Sequence, residues 1–270
     1  MIAGSPAAGL DPAAVLRPAR IRLGSIWIDS LSFAQALDAI EDLVDGGRGG
    51  AVFTPNVDHV VTAEANPDFR EVYGRASLSL VDGQPLVWAS RLLGTALPEK
   101  VSGADLLEPL MERAGRRGWK VFLVGGAKGS ARAVADRFRA EYGTAVVGIE
   151  DGRIGLEHTA ADDALLARIA DAAPQIVLVA LGAPKQELWI DARRERLAPA
   201  VALGLGAAFE FAAGTVRRAP PWARRAGLEW AYRLLQEPRR LALRYLWRDP
   251  KFLAVLLRTW LSSRETRTIV

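Results

Sequence analysis

The sequence predicts an α/β fold, a Rossmann-like layered α/β core followed by a helical, arginine-rich C-terminal appendage. Three observations carry that expectation. From about Ile26 to Gly206, short apolar runs alternate with amphipathic segments of about 10–15 residues, the pattern of parallel strands joined by helices. Each apolar run stops at Gly, Asp or a polar turn. After Gly214 the alternation ends at Pro220-Pro221, and the remainder is helical in pattern and rich in Arg and Trp.

Taken in order, residues 1–22 read as a loose leader, because MIAGSPAAGLDPAAVLRPAR has neither the basic start nor the apolar run of a secretory signal. The core is expected over 23–214. A helix from about Phe33 to Val44 places Phe33, Leu37, Ile40, Leu43 and Val44 on one face, with Ser30 or Ser32 as its cap. In VFTPNVDHVV, residues 52–61, Val52 and Phe53 read as strand interior before Thr54, Asn56, Asp58 and His59 interrupt. Further strands are expected at 77–81, 119–124, 144–149, 175–181 and 200–205. In the appendage, 215–270, Leu228, Ala231, Tyr232 and Leu235 recur at helical spacing while Arg224, Arg225 and Arg233 lie off that stripe.

Composition narrows the function. The 270 residues are 50% hydrophobic, enough for a large core. Cys is absent, which excludes disulfides, thiolate metal sites and a thiol nucleophile. His59 and His158 are the only histidines; neither has a partner at metal-ligand spacing, and they read as a turn residue and a surface residue. No Asp-x-Asp is present, Asp162-Asp163 reads as helix capping, and no metal is expected. No apolar run approaches the ~18 residues of a transmembrane helix. The net charge is only +4, but nine arginines between Arg217 and Arg248 face just Glu229 and Glu237.

In open parallel sheets ligands sit beyond the carboxyl ends of the strands. That rule selects Thr54 to Asp58, Asp82-Gly83-Gln84, Gly125-Gly126, Gly182 to Glu187 and Gly206 to Glu210. Asp82 directly follows SLSLV, and a carboxylate partly shielded there can have a raised pKa and accept a proton; the competing reading is a cap for the helix opening at Pro85. Thr54 and Asn56 suit sugar or phosphate contacts or, equally, capping. Pro184 and Lys185 open a helix whose N-terminus favours phosphate, with Gln186 and Glu187 beside them. Gly125-Gly126-Ala127-Lys128-Gly129-Ser130 has the position of a phosphate loop but the spacing of neither the dinucleotide fingerprint nor the P-loop.

These stations form an ordered set: Thr54-Pro55-Asn56; Val81-Asp82-Gly83; Val101-Ser102-Gly103-Ala104-Asp105-Leu106; Leu181 to Glu187; Phe209-Glu210 with Ala213-Gly214; Arg218-Ala219-Pro220; and Leu228-Glu229-Trp230 with Arg233. In this order, from about Ile26 to Tyr245, the chain resembles the WecG/TagA/CpsF glycosyltransferases. Glu210 stands where the family pattern usually has Asp, and Lys100 where an Arg commonly precedes the Val-x-Gly-x-Asp segment.

The resemblance implies an inverting transferase that moves N-acetylmannosamine, its uronic acid or a hexose from a UDP-sugar to a polyprenyl-diphosphate-linked acceptor in cell-surface polysaccharide synthesis. It implies Asp82 as base, Thr54 and Asn56 as its active-site companions, and Gln186 within a substrate-contacting segment. Gly125, Gly126, Gly182, Pro184, Lys185, Glu187, Gly206 and Glu210 complete the expected binding set, and Arg218, Arg224, Arg225 and Arg233 are expected to reach a diphosphate. The tail would meet an anionic membrane from the cytoplasmic face. No nucleic-acid partner is expected, and a homo-oligomer stays open. Two rivals are a nucleotide-dependent oxidoreductase or epimerase, and a non-catalytic membrane-associated module.

Overall fold

The computed structural model describes residues 18–152 and 154–268, side chains excepted at 225, 240, 244 and 263–268. The leader expected over 1–22 therefore lies outside the described residues up to position 17, and its last three residues, 20–22, are not loose but belong to the strand Arg20–Leu23. Strands β1 (Arg20–Leu23) and β2 (Ile26–Asp29) make an antiparallel ribbon. Helix α1 (Phe33–Asp45) follows, then β3 (Gly50–Phe53), α2 (Val57–Ala65), α3 (Pro67–Arg75), β4 (Leu78–Ser79) and α4 (Gln84–Leu92). Next come α5 (Gly103–Arg117), β5 (Lys120–Gly125), α6 (Ser130–Tyr142), β6 (Ala145–Glu150) and α7 (Ala160–Ala172). The core closes with β7 (Ile176–Ala180), α8 (Lys185–Ala192), α9 (Arg194–Leu197), β8 (Val201–Gly204) and α10 (Ala208–Ala212). The tail is α11 (Pro221–Arg225), α12 (Glu229–Gln236), α13 (Pro238–Leu243), short π and 3-10 turns, and α14 (Phe252–Thr268).

The main sheet is parallel with the order β4-β3-β8-β7-β5-β6. Its interior strands are covered on both faces, so β7 (IVLVA) is a continuous apolar run. Ile176 and Leu178 pack with Leu106, Leu110 and Phe138 of α5 and α6, while Val177 and Val179 face Phe69, Tyr73 and Trp189 on the other side. The α1 cap is Ser32: its hydroxyl accepts from Gln35 N while the Gln35 side chain accepts from Ser32 N, a reciprocal box.

Asp29 ties the ribbon to the sheet. Its buried carboxylate pairs with Arg20 Nε at 2.7 Å and accepts from Ser79 N at 2.7 Å. The tail is packed on the core rather than detached. Phe252 and Val255 are buried in the same apolar cluster as Val60 and Leu93, and Arg258 pairs with Glu64 at 2.9 Å. Arg248 reaches Asp58 at 3.0 Å.

Candidate active site

A cavity of ≈ 460 Å³ opens at the carboxyl ends of β4, β3, β8 and β7, with the tail as its outer wall. That size is ordinary for a small-molecule site, about 300–1,000 Å³. The backbone pairing that places Asp82 there extends beyond the regular strand. Leu80 N donates to Phe53 O at 2.8 Å, and Asp82 N to Pro55 O at 2.8 Å. Asp82 is thereby set beside Thr54 and Asn56, and all three line the cavity.

Asp82 does not cap a helix. Gly83, at φ +108°, occupies the cap position of α4 and no side chain bonds there. The Asp82 carboxylate makes no hydrogen bond with a described residue. Burial pushes it up from the ordinary carboxylate range to about 6; Lys100 pulls it down, while Glu229 and Asp105 add to the rise. Such a group is ionised near neutrality yet retains affinity for a proton.

Thr54 is buried on the cavity lining. Asn56 is both lining and cap: its Oδ1 accepts from the N–H of Asp58 at 3.0 Å and of His59 at 3.4 Å, opening α2. His59, expected in a turn, is instead a buried residue of the first turn of α2. The reason lies in the spacing Asn56-x-x-His59, that of a capping box with an imidazole in the usual Glu or Gln position. Its ring sits between Asn56 Oδ1, 2.7 Å away, and Glu187 Oε1, 3.3 Å away. His158 is exposed, as expected.

Beyond β7, Gly182 and Gln186 line the cavity. Gln186 is held from both ends, its Oε1 accepting from Gly206 N at 2.9 Å and its Nε2 donating to Glu187 Oε1 at 2.8 Å. Gly206 is also on the lining. Pro184 and Lys185 fall outside it, and Glu187 is fully buried behind the wall.

The Gly125-Gly126 loop is off the lining as well. A Cβ at Gly125 would come 2.8 Å from Ala180 O, and one at Gly126 3.0 Å from the Phe209 ring, so both glycines serve close packing at positive φ. The loop's Ala127 N–H is already taken, donating to Glu210 Oε1 at 2.6 Å. Glu210 is thus the loop's resident anion rather than a cavity residue.

The remaining charge comes from segments far apart in sequence. Asp105, in the first turn of α5, receives Lys100 Nζ at 2.9 Å, Arg218 Nη2 at 2.6 Å and Arg224 Nη1 at 3.5 Å. Burial works against this carboxylate, but Lys100, the Ser102 hydroxyl and Arg218 hold it down at about 2. Glu229 faces Lys100 and Arg218, each at 3.5 Å. Lys100, Arg224, Glu229 and Arg233 reach the lining, whereas Arg218 stands behind it. The Arg233 guanidinium lies 5.5 Å above the Phe211 ring. The Arg225 side chain lies outside the described residues. Sequence analysis placed Asp105 and Glu229 only within the ordered motifs and not among the expected site residues; the local physical signal at Asp105 was the Ser102-x-x-Asp105 capping pattern.

Among the described residues no three His, Asp or Glu are grouped to hold a metal ion. The cavity offers three carboxylates, Asp82, Glu229 and Asp249, three cations and several neutral hydrogen-bonding groups, and of the carboxylates Asp82 is the one pushed up towards neutrality. That combination suits removal of a proton from a hydroxyl beside a group that accumulates negative charge. Comparison with protein families gives a match to the glycosyl transferase WecG/TagA/CpsF family over residues 21–266.

Proposed function

The chain belongs to the WecG/TagA/CpsF family of glycosyltransferases, and from that premise we propose that it is an inverting, UDP-sugar-dependent enzyme with a polyprenyl-diphosphate-linked acceptor. Membership makes it a transferase with a sugar donor and an acceptor, and removes the oxidoreductase and epimerase readings. The donor sugar is of the N-acetylmannosamine type, its uronic acid or a hexose.

The observation that carries the reading is Asp82, a shielded carboxylate at a strand end, on the wall of a cavity that also presents Lys100, Arg224 and Arg233. In a single displacement the acceptor hydroxyl oxygen bonds to the anomeric carbon as the bond from that carbon to the diphosphate breaks. The hydroxyl proton passes to Asp82, and the electron pair leaves with UDP. Arg224 and Arg233 are suited to stabilise that diphosphate without a metal. Thr54, Asn56 and Gln186 orient the sugars. Gly182 and Gly206 leave the backbone open to them.

The tail serves as the membrane contact. Leu235, Leu243, Leu246, Trp247 and Leu253 are strongly exposed among basic residues, a surface suited to the headgroup region of an anionic inner leaflet. No helix among the described residues is long and apolar enough to cross a membrane. The test is UDP release from a panel of UDP-sugars with a lipid-diphosphate acceptor. Turnover with one pair, abolished in Asp82→Asn, is expected; no release with any pair, or full turnover by the variant, overturns the proposal.

A further inference from the structure

Helix α4 starts at the mouth of the cavity and carries apolar side chains on both of its faces. Leu86, Val87, Ala89 and Leu93 are buried in the core cluster that also holds Phe252 and Val255 of α14. The outer face of a helix covering a core is ordinarily polar. Here it carries Trp88, 45% exposed, and Leu92, 71% exposed, four residues apart and so one above the other, with the exposed Arg91 beside them. The helix contains no acidic residue.

Both ends of this stripe adjoin the tail. Near the start of α4, a Cβ at Gly227 would come 2.6 Å from the Trp88 ring and 3.1 Å from Gln84, so the turn between α11 and α12 lies directly on the helix. That turn leads to the exposed Leu228 and Trp230, and the Trp230 ring meets Tyr245 at 5.9 Å between centroids, next to Leu246 and Trp247. At the other end, Leu93 and Thr95 share a hollow with Val255 and Thr259 of α14, a helix that also exposes Leu253, Leu257 and Leu261. Gln84, Gly227, Trp230, Tyr245 and Leu253 all line the cavity, so the stripe and the tail stand on one rim.

Single exposed leucines are ordinary on a protein surface, but a band of leucine and tryptophan around a cavity mouth marks a contact. Charge decides the partner. Arg91, Arg217, Arg239 and Lys251 are exposed, whereas Glu229, Glu237 and Asp249 are half-buried, and Glu229 and Asp249 line the cavity. A second copy of the chain would bring like charge against like. An anionic leaflet supplies the opposite charge and a headgroup layer that accepts tryptophan.

We propose that α4, an element of the core, is part of the membrane-contacting surface, with Trp88 and Leu92 entering the headgroup region of an anionic leaflet. This rests on the reading of the tail as a membrane contact and extends it across the cavity mouth to the core. Contacts on two sides of the mouth fix its tilt towards the leaflet, which contacts on one side leave free.

The chain has no cysteine, so one introduced thiol carries a fluorophore alone. An environment-sensitive dye is placed on full-length Leu92→Cys, Leu246→Cys and Ala140→Cys, the last exposed on α6, whose buried residues belong to the cluster on the other face of the sheet. Each is mixed at low salt with vesicles of phosphatidylglycerol and phosphatidylethanolamine. Blue-shifted, brighter emission is expected at 92 and 246 and not at 140. A shift at 246 without one at 92 overturns the proposal and leaves the tail contact standing. No shift at any position overturns both, and equal shifts at all three mean indiscriminate adsorption and also overturn it. A shift at 92 that needs no lipid and grows with protein concentration assigns the face to a second copy instead.

Flotation of Leu92→Ser is the second arm. Vesicle binding should weaken roughly tenfold, the order expected for withdrawing a leucine side chain from an apolar layer. Its melting temperature should match the parent's, because the side chain is already mostly exposed. Undiminished binding overturns the proposal.

Discussion

Arg218 Nη2 lies 2.6 Å from Asp105 Oδ1, and Lys100 Nζ lies 2.9 Å from the other oxygen of the same carboxylate. One side chain thus joins the start of the tail to the residue whose charge acts most strongly against the rise at Asp82. The attachment of the tail and the basicity of the proposed base share a group.

Asp105→Asn leaves Lys100, Arg218 and Arg224 facing one another without their anion. Removing one partner of a shielded ion pair costs more than the pair contributes. Faster amide hydrogen exchange is expected across 217–236, with the sheet strands unchanged. Unaltered exchange in α11 and α12 would show that the apolar contacts alone hold the tail.

Asp82→Asn should lower kcat by roughly 10²–10⁴-fold, the usual contribution of a positioned base. It should also stabilise the protein near neutral pH. Because its folded pKa is raised, the carboxylate binds its proton more tightly in the folded state, so stability declines as pH rises from the unfolded value towards about 6. A neutral amide escapes that cost, which we put at roughly 1–2 kcal/mol given that the carboxylate faces the cavity. Denaturation at pH 7.5 checks the sign.

The acidic limb of kcat/KM should fall as pH drops through about 6, where Asp82 takes up a proton. Lys100→Met, which removes the cation that opposes the rise, should move that limb to higher pH. Asp105→Asn should move it lower, since Asp105 contributes to the rise and ties up Lys100. Parallel shifts in one direction would contradict the assignment of the limb to Asp82.

Asp162 is not the cap of α7; Thr159 is. Its carboxylate is buried, receiving Arg193 Nε at 2.9 Å and Trp189 Nε1 at 3.1 Å. Arg193→Met strands that charge and should destabilise the fold by about 3–5 kcal/mol. A urea midpoint unchanged from the parent would show that Asp162 simply takes up a proton.

Full-length protein should float with anionic vesicles at low salt and release at high salt. Leu246→Ser and Trp247→Ser alter side chains that are already mostly exposed, so folding should persist. Each should weaken vesicle binding roughly tenfold or more if its side chain enters the headgroup region. Equal flotation by both variants and the parent would remove these residues from the contact.

Much of this protein was determined by its sequence alone. Periodicity placed the strands of the main sheet to within a residue or two, because a strand buried on both faces has to be an apolar run, but it did not mark the β1–β2 ribbon, most of whose first strand reads as leader. The rule of strand ends then selected Thr54, Asn56, Asp82, Gly182, Gln186 and Gly206, all of which line one cavity. What periodicity cannot carry is which strands become neighbours. The order β4-β3-β8-β7 brings Asp82 and Gln186 to one wall although about a hundred residues separate them, and only the packed tail delivers Arg224, Glu229 and Arg233. The same limit explains the Gly125-Gly126 loop, which has the position of a phosphate loop although its Ala127 N–H is held by Glu210, and His59, whose burial depends on α2 and α8 meeting. Local spacing governs turns, caps and amphipathic faces. Charge, burial and proton affinity are set by whatever the fold brings together, and at Asp82 that is its burial and the charges of Lys100, Glu229 and Asp105.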